Sequence, residues 1–339
     1  MSHRIEFIDN IRGFAILLVV IGHAIACSYQ DWREVCIFSQ TQSREYMVSG
    51  AIWQVIYSFH MALFFMVSGY LSGISNITRN NIGSLLKNKT LRLLIPYMAT
   101  GYIIYFVRGY WGYWFLMTLY EMSILWIILY VLLKKLNPAS VMWRDILVMA
   151  LVYGLLRGLS IISLTASYID VNLLKYFIPF CFGCLMRRHP VIERMVRDRQ
   201  SYTLCLVLFF LLFISRYFIE IPLLYTIIKK ADYFLSILAL SACIAVFSFF
   251  MNGINHKSEK LLGYLGKASM PIYILHFLFV VRIASVGCFF LRQNAVTSIT
   301  IQIIYSLLVS IVAISLSLFL YIILRRSSLV RLLMFGEKY

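Results

Sequence analysis

A chain of 339 residues that is 61% hydrophobic and only 13% charged lacks the polar coat of a water-soluble globule, which carries about a quarter charged residues. Its mean hydropathy of +0.83 makes lipid its natural solvent. The net charge of +17 would suggest nucleic acid on a soluble protein. Here it reads as basic loops on one side of a membrane, and nucleic acid is not expected as a partner.

Apolar runs suited to a roughly 30 Å hydrocarbon core fall at 12–29, 51–74, 93–108, 114–133, 146–163, 173–187, 202–219, 233–251, 271–290 and 300–324. The expectation is an all-α, polytopic integral membrane protein with about ten transmembrane helices. The third and sixth runs are short and hold Pro96 and Pro179. With the N-terminus in the cytoplasm, 21 of the 31 lysines and arginines fall in inner segments and 8 in outer ones, while Arg157 and Arg282 lie within spans. The alternation supports both the count and cytoplasmic N- and C-termini. The first run carries Arg12 and His23, so it reads as a retained helix rather than a cleaved signal. Residues 1–339 read as one transmembrane domain with no appended soluble domain. Most of the seven cysteines lie in apolar runs, where free cysteine behaves as a small hydrophobe. Cys181 and Cys184 have no second pair and no histidine nearby, so no metal is expected.

Ionisable side chains at bilayer depth cost several kcal/mol unless paired or wet, which makes each a functional candidate. His23 stands eleven residues past Arg12, about 16 Å into its helix at 1.5 Å per residue. His60 enters from the opposite face to about 14 Å, and Glu121 to about 10 Å. Arg157 and Arg282 fall near mid-depth, and His276 nearer the inner end of its run. A lone membrane histidine can serve only as an interhelical hydrogen bond. Several such groups at overlapping depth point to one polar cavity. Histidine suits general-base work near neutral pH, and a buried glutamate can hold an imidazole in the useful tautomer. The sequence does not say which groups pair. A second cluster, Lys87, Lys89 and Arg92, is inner. It suits anionic lipid headgroups or a phosphate-rich ligand.

Several blocks carry a resemblance. They are Phe7-Ile8-Asp9-Asn10-Ile11-Arg12-Gly13 with His23 after ten intervening residues, the run from Tyr57 through His60 and Ser68 to Leu71, Arg92 to Tyr97, Trp114-Phe115-Leu116, and Leu262 to His276. In order and spacing they resemble acyltransferase family 3, the membrane O-acyltransferases, in a branch with sugar O-acetylases and the intercellular-adhesin O-acyltransferase. Ala62 stands where that branch commonly carries proline.

The resemblance implies transfer of an acyl group, acetyl first, from cytoplasmic acyl-CoA to a hydroxyl of a sugar or lipid-linked glycan, in the plasma (inner) membrane. Acetyl-CoA is then a co-substrate and no cofactor is permanently bound. His23 is the expected general base, with His60 and Glu121 as catalytic helpers. Arg12, Lys89 and Arg92 are expected on the donor's phosphates. Asp9, Ser68, Arg157, His276 and Arg282 are candidate substrate contacts. An acyl-histidine intermediate is the other chemical route. A transporter of a glycan or small molecule would also use ionisable groups at the midplane, although matching half-sequences are not visible.

Overall fold

The computed structural model describes residues 5–28, 44–73, 77–78, 80–109, 112–137, 139–162, 171–217, 232–253, 256–280, 283–291 and 293–337. Among them there is helix and no strand. In chain order the helices are α1 (Glu6–Ala26), α2 (Arg44–Gly73), α3 (Ile82–Lys89), a π turn (Thr90–Leu94), α4 (Ile95–Arg108), α5 (Trp114–Leu136), α6 (Met142–Ile162) and α7 (Val171–Arg188). They continue with α8 (Pro190–Arg197), α9 (Arg199–Tyr217), α10 (Asp232–Met251), α11 (His256–Lys267), α12 (Ser269–Phe279), α13 (Ala284–Leu291), α14 (Ala295–Leu324) and α15 (Ser328–Phe335).

Helix occupies each of the ten predicted spans, but among the described residues five stretches are by themselves long and apolar enough to cross a membrane. These are Glu6–Ala26, Gly50–Gly73, Trp114–Leu136, Arg199–Arg216 and Val296–Leu324. The pair Ser258–Lys267 and Ser269–Phe279, bent by 80°, makes a sixth if it counts as one span. Three of the other predicted spans are visibly short or broken. α4 has 14 residues behind the π turn, and α7 holds Pro179 and closes on Arg187 and Arg188. The run 271–290 is not one helix, because α12 stops at Phe279 and α13 begins at Ala284. There Ile283 N–H donates to Cys27 O at 3.1 Å and Gly287 N–H to Ser28 O at 2.7 Å. Carbonyls just past the end of α1 thereby accept from backbone N–H groups at the start of α13.

The chain packs as two compact units, each built from discontinuous segments: Met1–Phe64 with Val196–Ile323, and Phe65–Met195 with Leu324–Tyr339. In lipid the hydrophobic effect does not drive helix on helix, so close packing and small residues must do it. The first unit shows this along α1. Gly13 lies against the Leu262 carbonyl, and Gly266 against the Asp9 carbonyl with Gly13 N next to it. Neither glycine has room for a Cβ, and the missing side chains let α1 and α11 touch backbone to backbone. At the other end of α1, Ile25 and Ala26 pack with Trp53, Ile56 and Phe290.

The second unit repeats the device. Gly69 abuts the Phe180 carbonyl and Gly183 the Met66 carbonyl, which seats the end of α2 on α7. Trp126 Nε1 donates to Ser72 O at 3.2 Å. The fully buried Asp145 accepts from Asn137 Nδ2 at 2.8 Å, Arg188 Nε at 3.0 Å and His189 Nε2 at 2.9 Å. One carboxylate thus ties the α5–α6 turn to the end of α7.

Candidate active site in the first unit

The 80° bend after Lys267 is what brings α12 onto α1. Polar contacts join them. Arg12 Nη2 donates to Ser269 Oγ at 2.9 Å, and His23 Nδ1 lies 2.9 Å from His276 Nε2. The spacing explains why both form. Eleven residues on α1 and seven on α12 are each close to a whole number of turns at 3.6 residues per turn. One face of each helix therefore carries both partners. The two intervals differ by about 6 Å of rise, which the long Arg12 side chain spans. Arg12 also lies 3.8 Å from Asp9, one turn before it.

Around His23 the walls are aromatic. Its ring centroid is 4.6 Å from Phe277 and 6.2 Å from Tyr57, the latter edge-on. Tyr57 in turn meets His60 at 4.7 Å and stacks on Trp53 at 4.1 Å. The three histidines differ in access. His276 is 0% exposed and His60 3%, whereas His23 is only half-buried. His60 Nδ1 donates to Ile56 O at 2.7 Å and His276 Nδ1 to Ile272 O at 2.9 Å, both within their own helices. His23 Nε2 has no hydrogen-bond partner among the described residues. A polar pocket of about 600 Å³ opens beside the first turns of α1, lined by Glu6, Asp9, Asn10, Lys260, Tyr264 and Lys267 among others.

The first unit thus brings together Asp9, Arg12, His23, His60 and His276. The other candidates belong to the second unit, except Arg282, which lies outside the described residues. Ser68, Glu121 and Arg157 are half-buried on α2, α5 and α6. Lys89 ends α3, and the exposed Arg92 sits in the π turn, whose Thr90 Oγ1 lies 3.2 Å from Tyr120 OH. Burial, and then the neighbouring Arg92 charge, lower the Lys89 pKa. Two cations held this close leave a local excess of positive charge that an anion would relieve.

Ser269 and Tyr57 carry no expected role, yet both stand in the site. Each has a signal in the sequence: Ser269 is one i, i+7 step before His276, and Tyr57 one i, i+3 step before His60. Among the described residues no group of histidines, cysteines and carboxylates is arranged to hold a metal ion.

No curated protein and no solved structure matches the chain. The sequence model of the family described as "Acyltransferase domain" matches residues 5–322 and so runs through both units. With apolar membrane-length helices and a charged, histidine-rich site built from its signature blocks, the chain belongs to acyltransferase family 3 and is a membrane acyltransferase.

Proposed function

We propose that the chain moves an acyl group, acetyl in the first instance, from acyl-CoA to a hydroxyl of a sugar or lipid-linked glycan, with His23 as general base. The observation that carries this reading is His23 itself. It is held by His276 on one ring nitrogen, walled by aromatic rings, and has the other nitrogen without a described partner. A hydroxyl placed at Nε2 gives up its proton as its oxygen attacks the thioester carbonyl. The tetrahedral intermediate then collapses, the C–S bond breaks, and the proton on His23 passes to the departing thiolate. Acyl group, proton and thiol balance without a further reactant.

Donor binding falls to the basic groups: Arg12 in the first unit, and Lys89 with Arg92 in the second. Arginine suits this work because its guanidinium meets phosphate through two parallel bonds. His60 stays in the proposal as a helper within the first unit.

The experiment is acyl transfer in nanodiscs, with radiolabelled acetyl-CoA and an acceptor glycan. The wild type releases free CoA in step with acylated glycan, and His23→Ala loses at least about 10²-fold in kcat, the usual worth of a general base. Full transfer by His23→Ala removes His23 from the role. Glycan flux without acetyl-CoA makes the protein a carrier instead.

A further inference from the structure

We infer that His276 is a positioning residue that fixes the proton on His23, in a relay running from the Ile272 carbonyl through both rings to His23 Nε2. The inference deepens the proposed general-base reading and rests on it for its kinetic part only.

The direction of each bond follows from what the end of the chain can do. Ile272 O only accepts, so His276 Nδ1, 2.9 Å away, carries a hydrogen. A neutral imidazole has one N–H. His276 Nε2 is therefore bare and accepts. Its partner at 2.9 Å, His23 Nδ1, must be the donor. His23, neutral in its turn, has its proton on Nδ1 and a lone pair on Nε2. That nitrogen is the one with no described partner, on the half-buried ring of the pair.

Ring geometry agrees with this assignment. The two planes are inclined by only 25° with centroids 5.0 Å apart, which fits an edge-to-edge N–H···N bond. The backing is rigid. His276 is fully buried, its acceptor is the backbone carbonyl one turn earlier, and Ser269 on the same helix is tied to Arg12. When Nε2 takes a proton, His23 becomes a charged donor to His276 Nε2, and charge-assisted bonds are about twice as strong as neutral ones. The relay thus selects the productive tautomer beforehand and strengthens when the proton arrives.

The test pairs a spectroscopic readout with a kinetic one, on the full chain in nanodiscs. Histidine-selective ¹⁵N NMR, with His23 signals found by difference against His23→Gln, should show the Nδ1–H, bare-Nε2 tautomer in the wild type. That tautomer should lose its preference in His276→Phe, which keeps the ring and removes the acceptor. Acetyl transfer should fall roughly 10²-fold in kcat in His276→Phe, the scale of losing an outer partner of a working histidine, with both KM values within about twofold. His276→Gln, which can return an acceptor near the Nε2 position, should restore most of kcat.

A wild-type His23 protonated on Nε2 overturns the relay. So does His276→Phe with near-normal kcat, or His276→Gln as inactive as His276→Phe. If His276→Phe does not fold, the wild-type tautomer and the His276→Gln rate still decide. If the wild type transfers no acyl group at all, the general-base reading fails, and the NMR result judges the relay separately.

Discussion

Gly266→Ala is the sharpest structural probe of the site, because the substituted atom lands far from the chemistry. Gly266 faces the Asp9 carbonyl across the α1–α11 contact, with Gly13 N only 3.0 Å from where a Cβ would stand. Both neighbours are backbone, so neither can rotate away. Restoring an ordinary contact of about 3.5 Å requires the helices to part by about 1.7 Å. If α12 follows α11, with Ala268 alone between them, a 2.9 Å His23–His276 bond opens to about 4.6 Å, beyond any hydrogen bond. Displacements of about 1 Å at a reacting centre cost on the order of 10²-fold. We therefore expect acetyl transfer to fall by about that factor, with about 1–3 kcal/mol of destabilisation from overpacking. Gly263→Ala is the control. Its Cβ would meet only the Asn10 side-chain oxygen at 3.2 Å, which can shift by a few tenths of an ångström. Rates and thermal unfolding of the two variants, measured side by side in nanodiscs, decide the matter. Equal activity in both would refute the claim that α11 sets the geometry of the dyad.

The other expected outcomes are these. Asp145→Ala leaves Arg188, His189 and Asn137 without their shared acceptor, and removing one side of a buried ion pair costs about 3–5 kcal/mol, readable as a large drop in thermal stability. Tyr70→Phe removes a hydroxyl that donates to Glu193 and accepts from Arg187 but leaves their 3.7 Å ion pair. It should cost only about 1 kcal/mol. Lys89→Ala with Arg92→Ala should raise the KM for acetyl-CoA about tenfold or more at unchanged kcat, with a weaker salt dependence. Because burial and Arg92 lower the Lys89 pKa, the ammonium loses its proton at a lower pH than an ordinary lysine. Donor KM in the wild type should accordingly rise on going to alkaline pH earlier than free lysine would dictate, and that early rise should vanish in the double variant.

Local periodicity made part of this legible in the sequence. The eleven-residue step from Arg12 to His23 and the seven-residue step from Ser269 to His276 each announce one helical face. That the two faces meet is not local information, because the partners lie 257 and 253 residues apart. The bend after Lys267 and the break after Phe279 escaped hydropathy for a related reason. Averaging over 271–290 sees apolar side chains, not the backbone acceptors at Cys27 and Ser28 that receive N–H groups near the break. The π turn at Thr90–Leu94 was likewise hidden, although Pro96 just beyond it marks a place where regular helix is hard to continue. The 600 Å³ pocket gave no warning either, since it draws on α1 and α11 together.

The choice of partner for His23 has a physical logic of its own. A carboxylate is the usual orienter of a basic imidazole, and it stabilises the imidazolium strongly because it is charged. In a membrane that charge must be kept desolvated through the whole resting cycle, at a cost of several kcal/mol. An imidazole backed by its own helix's carbonyl bears no net charge at rest, so it can orient His23 from a buried position without a charge to desolvate. On the proposed general-base reading the penalty shifts to the moment of proton transfer, when a neutral acceptor stabilises the new cation less than a carboxylate would. The proposed thioester donor would tolerate that, because it is an activated acyl donor whose leaving thiolate reclaims the proton. The arrangement therefore suits an enzyme that works at bilayer depth on a pre-activated donor. It would suit poorly one that had to cleave an amide with the same base.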